Sequence, residues 1–142
     1  TLMVLGTHFV LAGEYSWTAA IASFVPFFLV SDLLLLNQFP DMEPDRSVGR
    51  RNVVILLGRK GASVIYGLFL LLAFVSIAVG VALGRLPALT LIAMVMIVPS
   101  VAAFVGSYRF ADDMKGLGPY LGLNVLINIL TPILVAVGLF LG

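Results

Sequence analysis

The chain of 142 residues has no cysteine and one histidine, so a disulfide framework and a thiolate metal site are both excluded. Charge is also scarce. Asp, Glu, Lys and Arg make up 11% of the residues, whereas a soluble domain needs about a quarter to cover its surface. No polar-rich stretch is long enough to be a separate soluble domain, and the net charge of +1 supplies no basic field for nucleic acid. Runs of short alternating strands, the pattern of a transmembrane barrel, are missing as well. The chain is instead 61% hydrophobic, with a mean hydropathy of +1.16. This composition is that of an integral membrane protein whose partner is the lipid bilayer.

Four apolar runs, about 17–36, 62–83, 88–108 and 119–141, are each long enough to cross a bilayer as a helix of some 20 residues. Backbone polar groups must be satisfied internally in hydrocarbon, so the expected fold is all-α, a multi-pass transmembrane helix bundle. Residues 1–13 are equally apolar but too short to span, and they read as part of a helix whose beginning is missing. On this reading residues 1–142 form a single transmembrane domain, the C-terminal portion of a larger protein. Residues 37–61 read as a loop carrying the main polar motif. Glycines four apart, Gly80 with Gly84, Gly118 with Gly122 and Gly138 with Gly142, suggest close helix packing.

Basic residues are distributed unevenly. With alternating spans, Arg46, Arg50, Arg51, Arg59, Lys60, Arg109 and Lys115 fall on one side of the membrane and only Arg85 on the other. Seven against one predicts a cytoplasmic motif loop and an extracytoplasmic C-terminus in a cell (plasma or inner) membrane.

Within the loop, Asn37, Asp41 and Asp45 recur every four residues. If the preceding helix continues, these side chains stack on one face as a strip of oxygen donors. Asp32 lies five residues before Asn37 and is expected near the same face. Pro40 and Pro44 would kink or partly unwind the strip, or Pro44 would begin a short new helix. Oxygen donors suit a hard cation such as Mg²⁺, which takes one or two carboxylates and leaves room for phosphate. Arg46, Arg50 and Arg51, then Arg59 and Lys60, follow as candidate phosphate ligands. A metal beside arginines describes a diphosphate site. The plainer reading is a solvated loop whose acids and bases pair with one another.

The pattern Asn37-x-x-x-Asp41-x-x-x-Asp45-Arg46-x-x-Gly49-Arg50, followed by Leu57-Gly58-Arg59, resembles the second aspartate-rich motif of the UbiA superfamily of intramembrane prenyltransferases. It is most similar to the MenA-like, 1,4-dihydroxy-2-naphthoate polyprenyltransferase branch. Leu5 to Leu11 and Ser16-Trp17 also look like the stretch before this motif. Gln38, Pro40, Arg50 and Asn52 depart from that branch's pattern, and the family's first Asn/Asp-rich motif is absent from these residues. The resemblance implies the C-terminal part of a nine-helix bundle and a Mg²⁺-dependent transfer of a prenyl group from a polyprenyl diphosphate to an aromatic acceptor, as in menaquinone biosynthesis. It assigns Asp41 and Asp45 to the metal and to catalysis, and Asn37, Arg46, Arg50 and Lys60 to substrate. It also makes the missing N-terminal half a partner, without which this portion would be inactive.

Other polar residues in the spans carry weaker signals. Asp32 is a functional candidate because a carboxylate is costly in a bilayer. Asn124 and Asn128 share a helical face, and Pro132 frees the carbonyl of residue 128, which suggests interhelical hydrogen bonds. His8 reads as a packing residue, and Asp112 and Asp113 as a solvated turn flanked by Arg109 and Lys115. The alternative function is a membrane transporter or scaffold bundle whose basic loop binds anionic lipid headgroups.

Overall fold

The computed structural model describes residues 1–142. It is all-helical, in the order α1 (Leu2–Ala12), α2 (Trp17–Ser47), α3 (Val53–Ala82), a 3₁₀ segment (Ala88–Met96) running directly into α4 (Ile97–Arg109), and α5 (Met114–Leu141). Four helical stretches are long and apolar enough to cross a membrane: α2, α3, the 3₁₀ segment with α4, and α5. The molecule is a multi-pass helical bundle.

Local sequence sets the boundaries. Gly13 ends α1 in the left-handed conformation at φ 75°, and its N–H bonds to the Phe9 carbonyl. Ser16 caps α2, its hydroxyl accepting from the Ala19 N–H at 3.1 Å. Asn52 caps α3 and Asp113 caps α5 in the same manner, through the Ile55 and Lys115 N–H groups at 2.8 and 3.1 Å. Gly84, at φ 63°, lies in the turn after α3, and Pro87 precedes the 3₁₀ segment.

The four long helices close a ring in chain order: α2 packs on α3, α3 on α4, α4 with its 3₁₀ lead on α5, and α5 back on α2. α1 packs on α2. Only 31 of the 142 residues are buried, so the interior is a narrow seam and most of the apolar surface faces outward, as lipid contact requires. Gly138 permits one very close approach, since a Cβ there would lie 2.5 Å from the Thr90 Cα. Gly118 and Gly122 do not act this way; a Cβ at either position would have no neighbour within 4 Å. Polar side chains stitch the seams, with Ser63 donating to the Ser107 carbonyl at 3.1 Å between α3 and α4.

The segment 37–61 is mostly helix rather than loop. α2 continues to Ser47 through Pro40 and Pro44, and α3 begins at Val53. Only residues 48–52 connect them. Pro40 and Pro44 remove the N–H groups that would bond the Leu36 and Pro40 carbonyls, and the helix continues past both. α3 is broken in turn at Gly58, whose φ of 71° and ψ of 165° suit glycine almost alone. The expected spans also shift at their starts: α5 begins at Met114, and the first nine residues of the third span are 3₁₀.

Candidate functional site

The basic end of the bundle is built from the end of α2, the start of α3 and the α4–α5 turn. Because α2 remains helical past its prolines, Asn37, Asp41 and Asp45 stand one above another on one face. Asn37 and Asp41 are exposed and make no side-chain hydrogen bond, while Asp45 is half-buried. Five residues correspond to about 140° around a helix, and Asp32 accordingly points the other way. It is fully buried with Val25, Leu29, Leu36 and Phe39 on the side facing the bundle. The expectation that it joins the strip is corrected by this helical phase.

Asp45 is already engaged. One oxygen accepts from Arg50 Nη1 at 2.9 Å and the other from Asn52 Nδ2 at 3.2 Å. The turn that allows this is held by Gly49 at φ 77°, with the Arg50 N–H bonded to the Asp45 carbonyl at 3.0 Å. Asn52 therefore has two tasks: its Oδ1 caps α3 and its Nδ2 steadies Asp45. The expected pairing of acids with bases is real at this one residue. Arg46 and Lys60 are exposed and have no ion-pair or hydrogen-bond partner.

Arg59 is not a free phosphate ligand. The break at Gly58 turns its side chain inward, where it is only 14% exposed. Its Nε donates to the Phe39 carbonyl at 3.0 Å, and its Nη1 is 3.9 Å from Asp112. One guanidinium thus ties the end of α2 to the start of α3 and the α4–α5 turn. The sequence signals for the roles of Arg59 and Asn52 were a glycine interrupting a helical run and an asparagine directly before one.

No group of three or more His, Asp or Glu side chains gathers anywhere in the chain as a complete metal site. The strip supplies two carboxylates and an amide, all oxygen-donating, with no sulfur or imidazole. Such a set fits a hard cation that draws its other ligands from water or phosphate.

The fold is thus a helical bundle with four stretches long and apolar enough to cross a membrane, and with an oxygen-donor strip and unpaired basic groups at one end. The chain matches the UbiA prenyltransferase family over residues 1–124 and belongs to that family. It is a family of transferases, generally metal-dependent, that use prenyl diphosphates and aromatic substrates. No curated protein and no solved structure gives a match.

Proposed function

We propose that this chain carries the second metal and diphosphate motif of a Mg²⁺-dependent enzyme that transfers a prenyl group from a polyprenyl diphosphate to an aromatic acceptor. Among acceptors, a naphthoate of the menaquinone-type pathway fits the MenA-like spacing of the motif best. The observation that carries this reading is the unbroken helical course of α2 to Ser47, which aligns Asn37, Asp41 and Asp45 despite two prolines.

Asp41 and Asp45 would hold the ion, and Asn37 would support it or contact the diphosphate. Bound Mg²⁺ would supply positive charge to phosphate oxygens as the carbon–oxygen bond to the prenyl group breaks. Arg46 and Lys60, unpaired, bind the departing diphosphate, and Arg50 is poised to exchange Asp45 for a phosphate oxygen. Prearranged cations in a dry site stabilise the growing charge without reorganising water. The allylic cation left behind is attacked by the electron-rich ring of the acceptor, and apolar helix surfaces shield it from hydrolysis. Asn37 and Asp41 are exposed, and on that side the family's first Asn/Asp-rich motif, absent from residues 1–142, would complete the ion's ligands. The seven basic residues at this end against one at the other make it cytoplasmic, with the C-terminus outside.

The test is prenyl transfer by the complete protein in membranes, with Asp41→Ala and Asp45→Ala. Each variant is expected to lose Mg²⁺-dependent transfer while remaining folded. Retained transfer in both would reject the assignment. Lipid binding that depends on Arg46, Arg50 and Arg51 but ignores chelators would point to the headgroup-binding scaffold instead.

A further inference from the structure

Asp32 is fully buried in the middle of α2, and neither carboxyl oxygen has a hydrogen-bond partner. No cation is available to it. It is the only charged residue between Tyr15 and Pro40, and residues 61–84, 86–108 and 116–142 carry none. His8 of α1 lines a cavity together with Thr18, Ala19 and Ala22, which lie at least ten residues or about 15 Å along α2 from Asp32. An unpaired carboxylate in such a place suffers one of the largest desolvation penalties open to a side chain.

The neighbours of Asp32 follow from the antiparallel seam of α2 and α3. Phe39 meets Arg59 at 3.0 Å, and the rings of Phe28 and Phe69 lie 5.9 Å apart. Seven residues back from Phe39 is Asp32, and seven on from Arg59 is Tyr66, so these two share a layer. Tyr66 is fully buried in that layer. Its hydroxyl donates to Asn124 Oδ1 on α5 at 3.1 Å. Both residues are fully buried, and Asn124 Nδ2 is a donor without an acceptor. Asn128 supports Asn124, donating from Nδ2 to its carbonyl at 3.1 Å.

The unpartnered groups are complementary. A carboxylic acid has one donor and spare acceptor capacity. Its O–H can donate to the Tyr66 oxygen, whose own proton is committed to Asn124 Oδ1, and its other oxygen can accept from Asn124 Nδ2. A cation would find the amide donor in its way. We propose that Asp32 acts as an uncharged carboxylic acid that closes a hydrogen-bonded ring with Tyr66 and Asn124, locking the rotation of α2 against α3 and α5. Asp32 lies on the side of α2 opposite Asn37 and Asp41, so the ring also makes it a positioning residue for the metal strip. That last step rests on the function proposed above.

The test compares Asp32→Asn, Asp32→Ala and Tyr66→Phe in the complete protein, purified in a detergent without ester groups. The wild type is expected to show an infrared carbonyl band of a protonated carboxyl that disappears in Asp32→Asn and shifts in Tyr66→Phe. Asp32→Asn, an uncharged isostere, should keep the unfolding temperature and the Mg²⁺ half-saturation of transfer close to wild type. Asp32→Ala should lower the former and raise the latter by about three- to thirtyfold, the range to which interhelical hydrogen bonds in membranes convert. Absence of the band, an Asp32→Asn variant as damaged as Asp32→Ala, or wild-type stability that requires Na⁺ would each overturn the proposal. The spectroscopic and unfolding measurements need no turnover, so they decide the ring even if the protein transfers no prenyl group and the proposed function fails.

Discussion

Arg59→Ala is expected to loosen the end of α2 that carries Asp41 and Asp45. Two interactions vanish with the guanidinium, and they differ in worth. The bond from Nε to the Phe39 carbonyl is 3.0 Å long and made by a side chain only 14% exposed. A hydrogen bond from a charged donor in that setting contributes about 1.5–3 kcal/mol. The contact with Asp112 is 3.9 Å, and that carboxylate is 70% exposed, so solvent screening leaves it about 0–1 kcal/mol. The loss should therefore come almost wholly from the α2 carbonyl. Since Phe39 is two residues before Asp41, freedom gained there is transmitted to the strip. About 1.4 kcal/mol of that loss, expressed as metal affinity, is a tenfold rise in Mg²⁺ half-saturation. Thermal unfolding in detergent, together with Mg²⁺ titration of prenyl transfer, measures both effects. Asp112→Ala is the control and should change little. If Asp112→Ala proves as harmful as Arg59→Ala, or if Arg59→Ala is silent in both assays, the strut explanation is refuted.

Asn52→Ala removes the N-cap of α3 and one partner of Asp45, and should destabilise the protein by about 1 kcal/mol. Asn52→Asp, which keeps the capping oxygen but sets a like charge against Asp45, should restore the cap in an unfolding assay while still impairing transfer. Gly138→Ala places a methyl 2.5 Å from the Thr90 Cα. Backbone must move to admit it, so a cost of about 1–3 kcal/mol is expected in detergent unfolding, whereas Gly122→Ala, with open space around it, should be nearly neutral.

Much of the architecture is legible from residue order. Apolar runs long enough to span the bilayer announce helices because no other open structure satisfies its backbone in hydrocarbon. The four-residue spacing of Asn37, Asp41 and Asp45 places them on one face once α2 continues, and spacing along a single helix needs no knowledge of its neighbours. Proline made the length of α2 harder to read. Its penalty depends on whether the freed carbonyls find other donors, and those donors come from elsewhere in the fold. Arg59 braces this stretch from outside α2 through the neighbouring Phe39 carbonyl.

What residue order by itself determined, then, is the membrane class and the helical content. Both follow from hydropathy and from the backbone's need for internal hydrogen bonds, which are properties of the chain alone. The tertiary structure decided which polar residues face one another. Asp32 belongs to the buried seam because its side of α2 is the one that packs into the bundle with α3 and α5. Asp45 meets Arg50 and Asn52, and Arg59 turns inward, only because glycines at 49 and 58 bend the chain back. Direction in space is a property of packed helices, and no spacing along one of them contains it.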